Sequence, residues 1–183
     1  MAILSGTMQL SKGLMYTLPE VNGWEQSAFT RTLGPVFEHS PWVAERTWPK
    51  RPFASLEALH RGLCETVMAS TEEEKLALIR AHPDLVGRAA LAGTLTASSA
   101  KEQASAGLDK LTAQEIKLFG EFNQAYCDKF GFPFVICARL NKKAAILDGF
   151  RARLNHTRPE EIESALAEIA KIAYLRLEDI VRS

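Results

Sequence analysis

The sequence predicts an all-α protein, folded as a single-domain bundle of about seven to nine helices. Nearly every segment with usable hydrophobic periodicity repeats at the helical spacing, and the connections carry the Pro, Gly, Ser and Asn residues expected between helices. At 183 residues and 46% hydrophobic, the chain fits one domain with a core large enough to fold unaided. We expect residues 1–17 to form an N-terminal extension and residues 18–183 to form the helical domain.

Three helices are predicted in the first half of the chain. Residues 25–33 have a short helical pattern, and the aromatic and proline-rich residues 34–53 after them are expected to be irregular or only briefly helical. A serine followed by acidic and apolar residues starts a helix over residues 55–68. A threonine and three glutamates start another over residues 71–81. This helix ends before His82, because the proline that follows disfavours helical dihedrals there.

Two helices are predicted in the middle of the chain from capping-box spacing, in which a Ser or Thr is followed three residues later by Glu. Ser99 and Glu102 have this spacing and start a helix that stops near Gly107. A threonine at 112 and a glutamate at 115 start a longer helix, which Gly131 and the proline after it terminate.

The last third of the chain combines one apolar crossing with two helices. Residues 133–138 are apolar and partly β-branched, which favours a buried extended turn over the start of a helix. Helices are predicted over residues 142–154 and 159–182, the second opened by a threonine and glutamate at capping-box spacing.

Residues 81–108 hold two titratable side chains separated by small residues. His82 lies at a helix end, where an imidazole can face a cleft, although interaction with the helix dipole alone also explains a histidine there. Glu102 is predicted to lie beside unpaired backbone N–H groups, a place that can also hold an anion. The capping box by itself is an equally complete explanation of Glu102.

Arg176 falls inside the apolar stripe of the last helix. At about 100° per residue, the stripe is formed by Ile162, Leu166, Ile169, Ala173 and Ile180. Because a buried charge without a partner costs several kcal/mol, a carboxylate or another anion should meet the guanidinium. An internal ion pair and a ligand-binding role both remain open, with snorkelling to the helix end as a lesser alternative.

Composition and motifs exclude several classes of protein. The 22 basic and 22 acidic residues cancel, so nucleic acid and anionic membranes are not expected partners. Without a membrane-length apolar run, a leader pattern or a peroxisomal tripeptide, the chain is expected to be cytoplasmic. Three cysteines without C-x-x-C spacing indicate neither a disulfide framework nor a metal site. Common metal, nucleotide and serine-hydrolase motifs are absent.

Six segments, taken together and in this order, resemble the OHCU decarboxylase family, in full 2-oxo-4-hydroxy-4-carboxy-5-ureidoimidazoline decarboxylase. The similarity covers roughly residues 18–181. The segments are FEHSPWVAE (37–45), RPFASLEALH (51–60), AHPDL (81–85), SSAKEQASAGLD (98–109), NQAYCDKFGFPFVIC (123–137) and EIAKIAYLRLEDIV (168–181). The resemblance implies an all-helical homodimer without cofactor or metal, which converts OHCU to S-allantoin and CO2 in urate degradation.

The resemblance also implies a set of site residues. His82 corresponds to the family's catalytic histidine and Glu102 to its acidic partner. Arg176 corresponds to the inward arginine, with Arg153 as an alternative that the sequence leaves open. The other implied substrate-binding positions are Pro83, Ser99, Ala100, Lys101 and Gln103, and the residues after the FPF turn: Phe134, Val135, Ile136, Cys137 and Ala138.

Two other functions are compatible with a small helical protein. One is a thiol redox protein using Cys127 or Cys137, although apolar surroundings disfavour reactive thiolates there. The other is a non-catalytic helical partner of a purine-catabolic enzyme, in which His82, Glu102 and Arg176 are only polar contacts of the bundle.

Overall fold

The computed structural model describes residues 15–182 and confirms a predominantly helical single domain. Within these residues there are ten α-helices, three short 3-10 helices and one pair of two-residue strands. The helices are α1 (Leu18–Gly23), α2 (Gln26–Leu33), α3 (Trp42–Thr47), α4 (Leu56–Met68), α5 (Glu72–Ala81), α6 (Arg88–Leu91), α7 (Ala97–Ser105), α8 (Ala113–Phe130), α9 (Lys143–Arg153) and α10 (Arg158–Glu178). The 3-10 helices are Gly34–Val36, Trp48–Lys50 and Ala138–Leu140, and the strands are β1 (Tyr16–Thr17) and β2 (Val181–Arg182).

All seven predicted helices are present, and most begin at the predicted caps. Ser55 caps α4, and capping boxes open α5, α8 and α10. Gly131 ends α8 in the left-handed conformation (φ 78°), where a glycine carries no Cβ penalty. The short helices α1, α3 and α6 are additions to the predicted set, and α10 ends at Glu178 rather than at residue 182.

The predicted start of α7 is wrong by three residues. Thr96, not Ser99, is the N-cap, and its hydroxyl accepts a hydrogen bond from the Ser99 backbone N–H (3.2 Å). Ser99 and Glu102 therefore do not form a capping box, and both side chains are buried inside the first turns of the helix. Because the helix begins after Thr96, the side-chain oxygens of Ser99 and Glu102 do not cap it and instead contact other elements.

The core is organised around α10, which packs against α4, α5 and α8. An aromatic cluster fills the space between α8, α9 and the segment at 133–138, with Phe134 and Phe150 stacked at 3.8 Å between ring centroids. Residues 133–137 have no regular secondary structure and are largely buried, which confirms the predicted extended crossing. Backbone groups of this crossing thus face the interior of the domain.

The first and last of the described residues meet at the two short strands. β1 and β2 pair in parallel, with Tyr16 opposite Val181 and Thr17 opposite Arg182. The predicted N-terminal extension, residues 1–17, lies mostly outside the described residues, and only its end contributes to this pair. Among residues 15–182, no helix combines the length and the apolar character needed to cross a membrane.

Candidate active site

Arg176 lies at the centre of a buried cluster with two carboxylates. Its Nε and Nη2 donate to the two oxygens of Glu102, each at 2.8 Å, in a bidentate pair. Its Nη1 donates to Glu38 Oε2 at 2.8 Å, and Nη2 also lies 3.3 Å from Ser99 Oγ. The arginine is 5% exposed, so the prediction that it points inward and meets a carboxylate is confirmed.

Glu38 is a member of this cluster that the sequence did not predict. It is 3% exposed and accepts hydrogen bonds from Arg176, from Ser99 Oγ (3.1 Å) and from Thr96 Oγ1 (2.9 Å). It lies in the segment between α2 and α3, where no periodicity indicates which side chains are buried. The usable signal was a single acid directly after the apolar residues Val36 and Phe37.

The electrostatics of the cluster favour the charged forms of Glu38 and Arg176. Burial alone raises the pKa of Glu38, but the charge and hydrogen bond of Arg176 outweigh it, so that the pKa lies below the usual range of a glutamate. Burial alone would likewise lower the pKa of Arg176, and the bonds with Glu102 and Glu38 raise it. With two carboxylates around one guanidinium, the cluster carries an excess negative charge.

His82 is held at the C-terminus of α5 as a neutral imidazole. Its Nδ1 lies 3.0 Å from the carbonyl oxygen of Leu78, and because a carbonyl only accepts, Nδ1 must carry the proton. Burial lowers the pKa of His82 to about 4, although the Leu78 bond and the charge of Glu38 act in the opposite direction. Nε2 is buried and has no hydrogen-bond partner within residues 15–182. The side chain therefore presents an unpaired lone pair that can accept a proton.

Two amide side chains fix the loop after His82. Gln103 accepts a hydrogen bond from the Val86 backbone N–H (3.0 Å), and Asn123 donates to the Leu85 carbonyl (2.7 Å). Val86 has a φ of 55°, a conformation that β-branched residues rarely adopt. Such strain persists only where surrounding contacts over-determine the backbone, as the two amides do here.

A small cavity of about 30 Å³ brings together most of the predicted substrate-binding residues. Glu102 and Ser99 line it from one side, and the chain after the FPF turn lines the other. The predicted residues in its wall are Pro83, Ser99, Glu102, Gln103, Phe134, Val135, Ile136 and Ala138. Arg176 reaches this wall through its bonds to Glu102 and Ser99.

The remaining predicted positions lie around this cavity rather than in its wall. His82 lines a neighbouring open cavity of about 510 Å³, and Pro83 is common to both. Ala100 and Lys101 are exposed on the outer face of α7. The backbone N–H of Cys137 donates to Glu168 Oε2 (2.8 Å), so this N–H is already paired within the chain.

Arg153, the alternative inward arginine, belongs to a different cluster. Its Nε donates to Glu161 Oε2 (2.9 Å), and its Nη1 donates to the carbonyl of Val135 (2.7 Å). Glu161 is fully buried and also accepts from Tyr126 and lies 2.6 Å from His156 Nδ1. This network joins α8, α9 and α10 behind the aromatic cluster, and Arg153 contacts the cavity wall from outside at the Val135 carbonyl and the Phe134 ring.

The cysteines have surroundings that disfavour thiolates. Burial raises the pKa of the Cys64 thiol to about 11 and also raises the pKa values of Cys127 and Cys137. A reactive thiol requires the opposite shift, so the thiol redox alternative has no support among these three residues.

Fold and site together define a helical single-domain protein with a candidate acid–base site, in which a neutral imidazole lies near a carboxylate–guanidinium cluster. The model of the OHCU decarboxylase family matches residues 22–178. A 2-oxo-4-hydroxy-4-carboxy-5-ureidoimidazoline decarboxylase of Halalkalicoccus jeotgali is 39% identical over 164 residues, which are 90% of this chain and 91% of that protein. The chain belongs to the OHCU decarboxylase family.

Two further comparisons involve longer proteins. A uric acid degradation bifunctional protein of Bacillus subtilis is 41% identical over 167 residues, which are 91% of this chain but 33% of that protein. The crystal structure of an (S)-allantoin synthase superposes with a TM-score of 0.71 and 28% identity, covering 90% of this chain and 54% of that one. The chain thus corresponds to one part of each of these proteins.

Proposed function

We propose that this protein is a cofactor-free carboxy-lyase that converts OHCU to S-allantoin and CO2 in urate degradation. The observation that carries the proposal is the buried Nε2 of a neutral His82, which has no partner among the described residues. His82 lies near the Arg176 cluster and directly precedes Pro83, one of the residues that line the small cavity. Family membership supplies the identity of the substrate.

The substrate can act as its own electron sink. When the bond to the carboxylate breaks, its electron pair forms a double bond to the adjacent ring carbon, and the neighbouring imine nitrogen takes up a proton. The 4-hydroxyl then loses its proton to become a carbonyl, and the adjacent carbon gains one to become the stereocentre of allantoin. Overall, the substrate anion and one proton give allantoin and CO2.

His82 is the group that moves the second proton. Its Nε2 lone pair accepts the hydroxyl proton, and the resulting imidazolium donates it to the adjacent carbon on one face, which sets the S configuration. General acid–base catalysis of this kind contributes about 10² to 10⁴-fold in rate. The excess negative charge of the cluster around Arg176 stabilises the imidazolium while it exists.

The polar wall of the small cavity binds the substrate, and the apolar wall favours the loss of CO2. Ser99, Glu102 and Gln103 offer oxygen atoms to the donors of the substrate ring and ureido group. Phe134, Val135 and Ile136 face them with apolar surface. A carboxylate directed towards this apolar side is disfavoured relative to neutral CO2, which assists its loss.

Binding requires the small cavity to expand. Its volume of about 30 Å³ is far below the roughly 300–1,000 Å³ of small-molecule sites. Residues 88–98 lie between the His82 loop and the buried part of α7, and none of them is buried. Because segments with few buried contacts open at low cost, we propose that this stretch moves when the substrate enters.

Turnover with stereochemical detection tests the proposal directly. With freshly generated OHCU, the protein should produce optically active allantoin much faster than the spontaneous reaction, which gives racemate. His82→Asn should remove the enzymatic rate while the circular dichroism of the helices is retained. Racemic product with folded wild-type protein would favour the non-catalytic alternative, in which the polar cluster only stabilises the bundle.

We also propose that the protein acts as a cytoplasmic homodimer on this small-molecule substrate, without nucleic acid or membrane as partner. The near-zero net charge supports the absence of polyanionic partners, and the family resemblance supports the dimer. Sedimentation equilibrium should give twice the chain mass of 20.3 kDa. A single species at the chain mass, at concentrations where the enzyme is active, would contradict the dimer.

A further inference from the structure

The carboxylate of Glu38 joins three separate parts of the chain. It belongs to the segment between α2 and α3, it accepts from Arg176 of α10 at 2.8 Å, and it accepts from the Ser99 hydroxyl of α7 at 3.1 Å. Thr96, the N-cap of α7, donates to it at 2.9 Å. Within the described residues, Glu38 thus contacts both the cap of α7 and the arginine that binds Glu102.

We propose that Glu38 is a positioning residue for the decarboxylation, which orients the Arg176 guanidinium and the Ser99 hydroxyl behind the wall of the small cavity. This inference rests on the proposed function. The guanidinium is planar, so holding Nη1 on Glu38 and Nε and Nη2 on Glu102 fixes the plane of the whole group. Glu102 is then held in one orientation at the cavity wall.

Glu38 also determines what Ser99 can offer a substrate. A hydroxyl has one proton, and the Ser99 proton is directed to Glu38. Because Arg176 Nη2 already donates to Ser99 Oγ at 3.3 Å, the hydroxyl has one further lone pair, and no proton, for a group in the cavity. A ligand group that meets it must be a donor, such as a ring or ureido N–H, and a carboxylate is not accommodated there.

The charge of Glu38 has a further effect on His82. The carboxylate of Glu38 and the guanidinium of Arg176 both act on the imidazole, and Glu38 is the negative one of the two. When His82 takes a proton during the reaction, the Glu38 carboxylate stabilises the cation. A neutral side chain at position 38 would leave the imidazolium facing the positive guanidinium.

Substitution of Glu38 separates positioning from a merely structural role. Glu38→Gln keeps the size but removes the charge, and kcat should fall by about 10²-fold because the reacting groups lose their alignment. KM should change much less, and Glu38→Asp, which keeps the charge, should retain more of kcat than Glu38→Gln. A folded Glu38→Gln variant with the kcat of the wild type would overturn the proposal.

Thr47→Val is the matched control for stability. Thr47 is fully buried in α3 and bonds to Thr66 and the Val43 carbonyl, outside the Arg176 cluster. This variant should lower the melting temperature and keep kcat at temperatures where the protein is folded. Suppose that Thr47→Val and Glu38→Gln have equal melting temperatures. If Thr47→Val then lost as much turnover as Glu38→Gln, the role of Glu38 would be structural only.

Chemical rescue provides a second measurement. Glu38 also lines an open cavity of about 890 Å³, so a small carboxylate can reach its position from solvent. In Glu38→Ala, formate should raise turnover, whereas chloride at the same ionic strength should not, and His82→Ala should not respond. A folded Glu38→Ala protein that formate leaves unchanged counts against the proposal. Inactive wild type would instead reject the decarboxylase function itself.

Discussion

The two inward-pointing arginines, Arg176 and the partly buried Arg153, differ in how their charge is balanced. Arg153 faces one carboxylate, Glu161, and the pair is neutral. Arg176 faces two, Glu38 and Glu102, so its cluster retains an extra negative charge in a place where burial is costly. The second carboxylate, Glu38, also accepts from Thr96 and Ser99 of the α7 region, so the two clusters differ in their connections as well as in their charge.

The surroundings of the two clusters also differ, because Arg153 is packed among aromatic side chains and Arg176 lies beside a cavity. Arg153 stacks over Phe134 at 4.5 Å and joins three helices through Tyr126, whose phenol pKa is raised by burial and by its bond to Glu161. Arg176 instead lies behind a cavity wall and acts on the pKa of His82. An inward arginine is therefore not diagnostic of a site until its partners are known.

The largest expected effect is that of Arg176→Met. Removing the cation that pairs with Glu38 and Glu102 should lower the free energy of unfolding by about 3–5 kcal/mol at pH 7. Turnover should fall by at least about 10²-fold, because Glu102 and Ser99 lose their orientation. The cost in stability should shrink as the pH falls towards 5, since buried carboxylates without a cation take up protons. Urea unfolding at both pH values, beside the allantoin assay, measures these effects.

Arg153→Met is the matched control for that variant. It should destabilise the fold by a similar amount, because Glu161 is fully buried and loses its cation. Where the protein is folded, kcat should stay within about threefold of the wild type. Loss of turnover in Arg153→Met equal to that in Arg176→Met would remove the distinction between the two clusters.

The sequence predicted one of these clusters only in part. Arg176 was found because α10 is long and regular, so that a charge inside an apolar stripe stands out. Glu38 was missed because it lies 138 residues away in a segment without periodicity. Its burial depends on contacts from α7 and α10, which a local pattern does not contain.

The start of α7 also depends on tertiary contacts that the local sequence pattern does not contain. Thr96 and Ser99 are both suitable N-cap residues, and the spacing to Glu102 favoured Ser99. In the fold, the Thr96 hydroxyl also bonds to Glu38 and the Ser99 hydroxyl is buried against it. Tertiary contacts therefore selected Thr96 over the cap that the local spacing favoured, whereas the caps of α8 and α10 had no such competitor.

The smallest expected effect concerns the two histidines near these clusters. The pKa of His82 is about 4 in the folded protein, below its ordinary value of 6.5, so in this window the unfolded chain binds more protons. Stability should therefore fall as the pH drops from 6.5 towards 4, by about 3 kcal/mol at about 1.4 kcal/mol per pKa unit. In His82→Asn this contribution is absent, and the plot of unfolding free energy against pH should be flatter.

Urea unfolding between pH 6.5 and 5 isolates this contribution, because the Glu38 carboxylate, whose pKa is lowered, titrates below that range. His156→Asn is the matched variant in the other cluster, where the side chain is 41% exposed and contacts Glu161. The difference in slope between the two variants measures what the burial of His82 adds. Equal slopes in His82→Asn and wild type would mean that the pKa of His82 in the fold equals its ordinary value, which would contradict the burial that lowers it.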